Sequence, residues 1–267
     1  MSNLTRVALL AVLLLTACGG GSPQPTPQPV SLEYVHQAET LVIQADTYGG
    51  LSAPVSGTHV PEISIYGDGL AILGQEVGAR SVGTDRAVST GQIGDEELQH
   101  VLEFVVDAGF FELDDDYRPS GGPADAPCRE VSVHLLARSK TVSVCPFDEA
   151  QAPTAFNAAY TKLTELSLSG ATVFTPDSGL LAVTDLGPIE ELGGGRGSQV
   201  APWDTPLVGF SLEEASDDGV YLEGEEYHRV EEFLLRYPPS QVFGSQDGRA
   251  YEVLLEADLP RETASGE

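Results

Sequence analysis

Four clustered carboxylates are the first residues in this sequence whose types and spacing suggest chemistry. Glu112, Asp114, Asp115 and Asp116 lie directly after a glycine and two phenylalanines. Carboxylate oxygens are the ligands that Ca²⁺ prefers, so the cluster is a candidate calcium site. Its spacing does not match the twelve-residue calcium loop that joins two helices. A solvated acidic face is the competing interpretation.

A second acidic cluster allows the same two interpretations, and it consists of Glu213, Glu214, Asp217 and Asp218. The number of acids also raises the hypothesis of a surface hydrolase that works with two carboxyl groups. The sequence lacks Gly-x-Ser-x-Gly, Ser-x-x-Lys, His-Glu-x-x-His, Cys-x-x-Cys and the phosphate-binding Gly-x-x-x-x-Gly-Lys. It therefore favours a protein that is not an enzyme, and it predicts no cofactor beyond the candidate calcium.

The histidines do not form a recognisable metal motif. None of the five has another histidine four residues away, which is the spacing that places two ligands on one helix face. They are His36, His59, His100, His134 and His228. The sequence therefore predicts no transition-metal site.

The first of the three cysteines, Cys18, directly follows residues 1–17, which are predicted to be an N-terminal export signal. Arg6 is the only charge before nine apolar residues, Val7–Leu15, a run shorter than the roughly 20 residues that span a bilayer. It fits the apolar region of a secretory signal. The run ends in Leu15-Thr16-Ala17-Cys18, which resembles the lipobox of bacterial lipoproteins. The resemblance implies cleavage before Cys18, diacylglyceryl attachment to its sulfur and acylation of the new amino group, which together anchor a protein stably.

Residues 18–32 are predicted to be a tether between this lipid anchor and the folded protein. Gly19-Gly20-Gly21-Ser22 favours a flexible joint, and the alternating prolines up to Pro29 favour an extended polyproline II spacer. In lipoproteins of some two-membrane bacteria, an Asp after the lipidated Cys retains the protein at the inner membrane. Gly19 occupies that position here, so the outer membrane is favoured if the host has two membranes. We therefore expect a lipid-anchored protein of the cell membrane or outer membrane, facing the periplasm or the exterior.

Two cysteines remain, Cys128 and Cys145, and an exported compartment favours their pairing. We predict a disulfide between them, with free thiols as the alternative. A nucleophilic pair of Cys128 with His134 is not supported, because six residues of strand separate the two side chains by about 20 Å.

The predicted hairpin geometry makes that disulfide demanding. Residues 131–136 and 141–144 predict two strands that turn around Arg138-Ser139. In that register Cys145 faces Ser132 rather than Cys128. Because a disulfide needs Cα atoms within about 7 Å of each other, the segment 125–129 would have to fold back over the strand ends.

The charge of the chain excludes one class of partner. The 267 residues include 41 acidic and 13 basic side chains, for a formal net charge of −28. Nucleic-acid phosphates would repel such a chain, and it offers no polybasic patch for an anionic bilayer. The predicted partners are therefore the membrane, through the lipid anchor, and an envelope protein or ligand whose identity stays open.

A first folded block is predicted over residues 33–169. Its strands are expected at 40–45, 62–66 and 70–73, with a tight turn at Gly67-Asp68-Gly69. A helix is expected to begin with Asp95 as its N-cap and to end at Gly109. It carries apolar residues at helical spacing: Leu98, Val101, Leu102 and Val105. A second helix is expected over 152–166.

A second block is predicted over residues 170–260, followed by a polar tail at 261–267. Strands are expected at residues 172–174, 180–184, 207–212, 220–222, 242–243 and 250–255. A helix over 225–237 ends before Pro238-Pro239. The predicted fold class is α+β, with two small blocks that each contain a mostly antiparallel sheet and one or two packed helices.

The first block resembles a family of uncharacterised bacterial lipoproteins, a domain of unknown function. The likeness covers residues 35–168. It rests on Ile63–Gly69 (ISIYGDG), on Gly91-Gln92-Ile93 before an acidic helix, on Gly109-Phe110-Phe111 and on Asp116-Tyr117. The family implies a fold and an envelope location, and it brings no established activity.

Three functional hypotheses follow. The leading one is a membrane-anchored envelope protein that serves as a non-catalytic binding or interaction module. The second is a carboxylate-dependent surface hydrolase, which requires an acidic site with a raised carboxyl pKa. The third is a calcium-stabilised structural module.

Overall fold

Thirteen strands and five helices can be described in the computed structural model. It describes residues 31–50, 57–75, 82–120, 126–192, 200–216, 218–238, 241–246 and 248–260. The strands are β1 (Leu41–Tyr48), β2 (Ile63–Tyr66), β3 (Leu70–Gln75), β4 (Ala87–Gln92), β5 (Asp116–Tyr117), β6 (Cys128–His134), β7 (Ser139–Val144), β8 (Thr172–Phe174), β9 (Ser178–Pro188), β10 (Ala201–Pro202), β11 (Val220–Glu223), β12 (Val242–Gly244) and β13 (Arg249–Ala257). The helices are α1 (Asp95–Asp107), α2 (Thr154–Thr164), α3 (Thr205–Val208), α4 (Leu212–Ala215) and α5 (Glu225–Leu234).

The strands form two sheets, which confirms the predicted α+β class. The first sheet has the order β5-β7-β6-β1-β2-β3-β4-β8, and the second has the order β10-β12-β13-β9-β11. All neighbouring strands are antiparallel except the pairs β5–β7 and β10–β12. β8 follows the predicted domain boundary at residue 169, yet it pairs with β4 in the first sheet. The described residues form one compact unit, and none of their helices has the length and apolar character needed to cross a membrane.

The main core of the first sheet lies on the side that α2 covers. Alternation along β1 directs Ile43 and Ala45 to this side, where both are fully buried. Thr47 follows in the same alternation, and its hydroxyl lies 2.7 Å from the Tyr160 hydroxyl of α2. The Arg129 guanidinium of β6 lies 4.5 Å from the centre of the Tyr160 ring. These contacts fix α2 against the ends of β1 and β6.

The opposite side of β1, β2, β6 and β7 is polar, and we call it the polar face. Gln44 of β1 donates a hydrogen bond to Ser64 of β2 at 2.9 Å. The hydroxyls of Ser132 and Thr141 lie 2.9 Å apart across β6 and β7. Asp46 belongs to the same alternation as Gln44 and therefore lies on this face.

An aromatic cluster fills the core of the second sheet. The indole ring of Trp203 packs edge-on against Phe233 of α5 and Phe243 of β12, at 5.1 and 5.5 Å between ring centres. Tyr227 of α5 is fully buried in the same core. The apolar stripe predicted for this helix therefore faces the sheet, as expected from its spacing.

Residues 57–60 and 82–85, which we call the strap, join the two sheets. The amide of Thr58 donates to the carbonyl of Gly83 at 2.8 Å, and the amide of Ala257 in β13 donates to the same carbonyl at 2.9 Å. The Thr58 hydroxyl donates to the carbonyl of Ala257 at 2.7 Å. The strap thus bonds the first half of the chain to the end of the last strand.

Each sheet also receives one apolar residue from the other half of the chain. Val82 of the strap is 7% exposed and packs in the aromatic core of the second sheet. Leu259, just after β13, is 5% exposed and packs against Val60, Ile72 and Val88 beside the first sheet. The two halves therefore complete each other's cores.

The predicted cap of one helix and one predicted strand were wrong. Asp95 is not the N-cap of α1: Gly94 occupies that position, and Asp95 is the first helical residue. The expected strand at 207–212 is instead parts of α3 and α4. Asp204 caps α3, and Ser211 caps α4 with Glu214 in a capping box, so side-chain bonds to the backbone outweigh the strand preference of the apolar residues.

Candidate functional site

A histidine held between two aspartates is the central feature of the candidate site. His59 Nε2 lies 2.9 Å from both carboxylate oxygens of Asp46, and His59 Nδ1 lies 2.6 Å from Asp85 Oδ2. The amide of Val60 donates to the other oxygen of Asp85 at 2.8 Å. His59 and Asp85 belong to the strap, and Asp46 belongs to β1, so the three side chains bridge the strap to the first sheet.

The two carboxylates determine the charge of the imidazole ring. They raise the pKa of His59 to about 9, chiefly through the hydrogen bond to Asp46 and next through the one to Asp85, against the lowering effect of burial. At neutral pH the ring is therefore an imidazolium that donates from both nitrogens. A general base needs a ring nitrogen free to accept a proton. In this state His59 is a cation that holds two carboxylates rather than a proton acceptor.

Glu62 and Arg86 extend the charged cluster on the side of Thr47. Arg86 Nη2 lies 3.9 Å from Glu62 Oε1 and donates to the carbonyl of Thr47 at 3.3 Å. Burial raises the pKa of Glu62, although the positive charge of Arg86 opposes the shift. Within the described ranges, Glu62 Oε2 and Arg86 Nη1 are buried without a hydrogen-bond partner. Both groups thus have hydrogen-bonding capacity beyond their own pair.

Glu130 adds a carboxyl group on the polar face. It lies directly opposite Asp46 in the antiparallel pair of β6 and β1. Burial raises its pKa, and the negative charge of Asp46 adds to the shift. Carboxyl groups with raised pKa are the type that donates protons in acid catalysis. Glu62 and Glu130 are therefore the residues at this site with the character of a general acid.

Cys128 and Cys145 lie at disulfide-bonding distance, as predicted, with 4.4 Å between their Cα atoms. The predicted hairpin register was wrong. Arg129 pairs with Val144 and His134 pairs with Ser139, so the turn is at 135–138 rather than around Arg138-Ser139. In this register Cys128 is directly opposite Cys145. No segment has to fold back for the bridge.

The four carboxylates of the candidate calcium site lie on the surface around β5. Asp115 binds Lys140, Asp116 Oδ2 accepts from Arg118 at 2.8 Å, and Glu112 Oε1 lies 3.9 Å from Arg138. In the part of the chain that is described, no group of three or more His, Cys, Asp or Glu side chains is placed to hold a metal ion. Three of the four carboxylates, all but Asp114, therefore pair with lysine or arginine side chains. The calcium site stays a prediction.

The remaining predicted features fall into two groups. Glu213 and Glu214, which were expected in a loop between the strands at 207–212 and 220–222, belong to α4. Glu214 accepts hydrogen bonds from the amide and hydroxyl of Ser211. Other predicted features lie outside the described residues: Cys18, the signal at 1–17, the tether up to residue 30, Asp217 and the tail at 261–267.

A cavity of about 140 Å³ lies beside Trp203 in the second half of the protein. Drug-sized ligands occupy pockets of about 300–1,000 Å³, so this cavity suits only a small group. The Trp203 ring is 8% exposed, and its N–H donates to the carbonyl of Phe210 at 3.0 Å. The ring is thus a core residue with little surface for stacking on a ligand. A wider groove of about 600 Å³ is lined by Pro188, Ile189, Glu190, Gly248 and Arg249.

No family model, curated protein or solved structure matches this chain. The resemblance of residues 35–168 to a lipoprotein family therefore stays a prediction. Its motifs have structural roles here. Gly67-Asp68-Gly69 forms the turn between β2 and β3, and Gly109 ends α1 with φ at 85° before the buried Phe110.

The sequence did not indicate the cluster around His59. Its members come from three segments: β1, and residues 57–62 and 82–86. His59 has no histidine or cysteine at a metal-ligand spacing, and Asp46 and Asp85 are two of many acids. The pairing of the strap segments brings His59 and Asp85 together, and the contact of the strap with β1 adds Asp46.

Proposed function

We propose that the protein is a lipid-anchored lipoprotein of the bacterial cell envelope that acts as a non-catalytic binding or interaction module. The anchor is Cys18, and the tether after it presents the folded part to the periplasm or the exterior. Gly19 favours the outer membrane where the host has two membranes. The proposal combines a location and a mode of action, which have separate support.

The observation that carries the proposed location is the cysteine pair. Cys128 and Cys145 face each other across β6 and β7 at disulfide-bonding distance. Disulfides persist in exported compartments and are rare in the cytosol. This agrees with the export signal and lipobox at the N-terminus, which are independent of the hairpin.

The arrangement of His59 supports the non-catalytic part of the proposal. Both ring nitrogens contact carboxylates, and the ring is charged at neutral pH. Such a ring cannot activate a nucleophile without first losing a partner. The cluster is therefore better suited to joining segments of the protein than to acid–base turnover.

Replacing Cys18 with Ala should abolish lipid attachment completely, because the sulfur is the site of the first acyl transfer. The protein should incorporate labelled palmitate and sediment with membranes in cells of a lipoprotein-processing host, and the variant should do neither. Labelling followed by fractionation measures both effects.

The matched control is the double substitution Cys128→Ala and Cys145→Ala, which removes the other two cysteines and keeps the lipobox. It should incorporate as much label as the unsubstituted protein. The label is measured per molecule of protein, and label that persists after Cys18→Ala, or that is lost with the control, would contradict a lipid anchor at Cys18.

A carboxylate-dependent surface hydrolase is the second candidate, favoured by the raised pKa values of Glu62 and Glu130 beside Asp46. A panel of ester, peptide and glycoside substrates tests it. Turnover that Glu130→Gln lowers by about a hundredfold or more, the usual contribution of a general acid, and that Glu252→Gln leaves unchanged would establish this function. Glu252 is an exposed residue of β13 and serves as the control. Absence of turnover across the panel supports the binding module.

A further inference from the structure

The bridge around His59 lies at a joint that contributes to both cores. His59 and Asp85 belong to the strap, whose hydrogen bonds to Ala257 attach the last strand to the first sheet. Val82 of the strap and Leu259 beyond β13 fill the core of the opposite half. A weaker hold on the strap therefore affects the packing of both sheets.

The attachment of the strap to β1 depends on the second N–H proton of the His59 ring, because each ring nitrogen contacts a carboxylate. An imidazolium has two N–H donors, whereas a neutral imidazole has one N–H and one lone pair. After loss of the proton, one nitrogen would direct a lone pair at a carboxylate. One of the two contacts must then break.

The structure indicates which contact breaks. Asp85 also accepts a hydrogen bond from the amide of Val60 at 2.8 Å, so the strap itself holds this carboxylate beside the ring. Asp46 is on a different element, β1, and is the more exposed of the two, at 15% against 6%. The neutral ring therefore keeps its N–H toward Asp85 and releases Asp46.

Other charged groups surround the bridge. From β6, Glu130 lies opposite Asp46 and Arg129 follows in the other alternation. The segments flanking the strap contribute Glu62 and Arg86, and Glu256 of β13 forms a β-bridge with Gly83 of the strap. Three of these five are acids, and Arg86 is engaged by Glu62 and by the carbonyl of Thr47.

We propose that the Asp46–His59–Asp85 bridge is a proton-dependent latch on the joint between the two sheets. With the proton, the strap is fixed to β1. Without it, Asp46 is released and the strap opens before the rest of the protein. The latch is independent of the proposed anchor and binding role.

The sign of the pH dependence follows from the direction of the shift. The pKa of His59 rises from 6.5 in the unfolded chain to about 9 in the folded protein. The bridge therefore contributes its full stabilisation below about pH 6.5, and this is lost as the pH rises through about 9. Lysine and tyrosine side chains titrate near 10 or above, so a transition near 9 distinguishes His59.

Hydrogen exchange of the full chain in detergent, measured by mass spectrometry between pH 7 and 10, tests the latch. After correction for the intrinsic exchange rate, protection of residues 57–60 and 82–85 should fall by about tenfold, the equivalent of one charge-assisted hydrogen bond. The midpoint should lie near pH 9, and the centre of β9 should stay protected.

Three variants decide the outcome. His59→Gln should show low strap protection at every pH with no transition, and Asp46→Asn should move the transition to lower pH while the contact with Asp85 persists. His228→Gln, at an exposed histidine that lies 3.5 Å from Glu231, should behave as the unsubstituted protein. A transition that survives in His59→Gln, an unsubstituted protein without a transition, or equal loss of protection in β9 would overturn the latch.

Discussion

Substitution of Gly83 with Ala should lower the free energy of unfolding by about 3 kcal/mol or more. Gly83 has φ at +90°, where an L-residue is strained by about 1–2 kcal/mol. A Cβ at this position would lie 2.5 Å from the Tyr227 hydroxyl and 3.1 Å from Ala257 Cβ. Overpacking of this kind costs about 1–3 kcal/mol. Urea unfolding of the purified protein measures the loss.

The chain provides a matched control for each part of this effect. Gly187 has φ at +92° with nothing within 4 Å of the added Cβ, so Gly187→Ala should show only the backbone strain. Tyr227→Phe removes a buried hydroxyl that has no hydrogen-bond partner in the described structure, and it should be neutral or slightly stabilising. Added to Gly83→Ala, it should restore part of the stability. Equal losses for Gly83→Ala and Gly187→Ala would show that the joint is not closely packed there.

Removal of the Cys128–Cys145 bridge should cost about 3 kcal/mol. The two cysteines are 17 residues apart, and closing a loop of about 15 residues restricts the unfolded chain by about that amount. Cys128→Ala combined with Cys145→Ala should lower the urea midpoint accordingly. Unfolding monitored by fluorescence of the single tryptophan, Trp203, measures it.

A reducing agent provides the control for this prediction. Reduction of the unsubstituted protein should shift its midpoint toward that of the double variant, and it should leave the double variant unchanged. If reduction has no effect on the unsubstituted protein, the two cysteines are not bridged in solution.

The elements that could be predicted from the sequence are those whose evidence is local. The apolar spacing of Leu98, Val101, Leu102 and Val105 predicted α1, and all four side chains are buried. The turn glycines after Tyr66 predicted the hairpin of β2 and β3. The strand prediction at 207–212 failed because apolar content was weighed above the Ser-x-x-Glu signature at Ser211 and Glu214, which was present in the sequence.

The register of β6 and β7 shows that the alternation of buried and exposed residues is limited evidence for how two strands pair. Cys145 was expected opposite Ser132, and it lies opposite Cys128, four residues away along the strand. A shift by an even number of residues leaves every side chain on the same face. Burial patterns therefore cannot distinguish the two registers. The turn decides between them, and this one, at Leu135–Arg138, contains no glycine or proline to mark it.

The candidate site could not be predicted for a related reason. Asp46, His59 and Asp85 are brought together by strand pairing and by the strap, and no short motif records either. The candidate calcium cluster was evident because its members are adjacent in the chain. In the structure most of them pair with lysine or arginine side chains. Adjacency in the sequence identified an acidic surface. The charged groups with the closest contacts, Asp46, His59 and Asp85, come from segments that are distant in the sequence.

The strap also imposes an order on folding. The hydrogen bond from Thr58 to Ala257 joins residues 199 positions apart. This bond can form only after Ala257, the last residue of β13, has been synthesised. Until then Leu259 cannot cover Val60, Ile72 and Val88. These three residues form an apolar patch beside the first sheet that stays exposed to solvent. Loop closure over such a distance is slow, and an uncovered patch favours aggregation in the interval. We therefore expect nascent chains released before residue 259 to be the principal targets of chaperones and proteases.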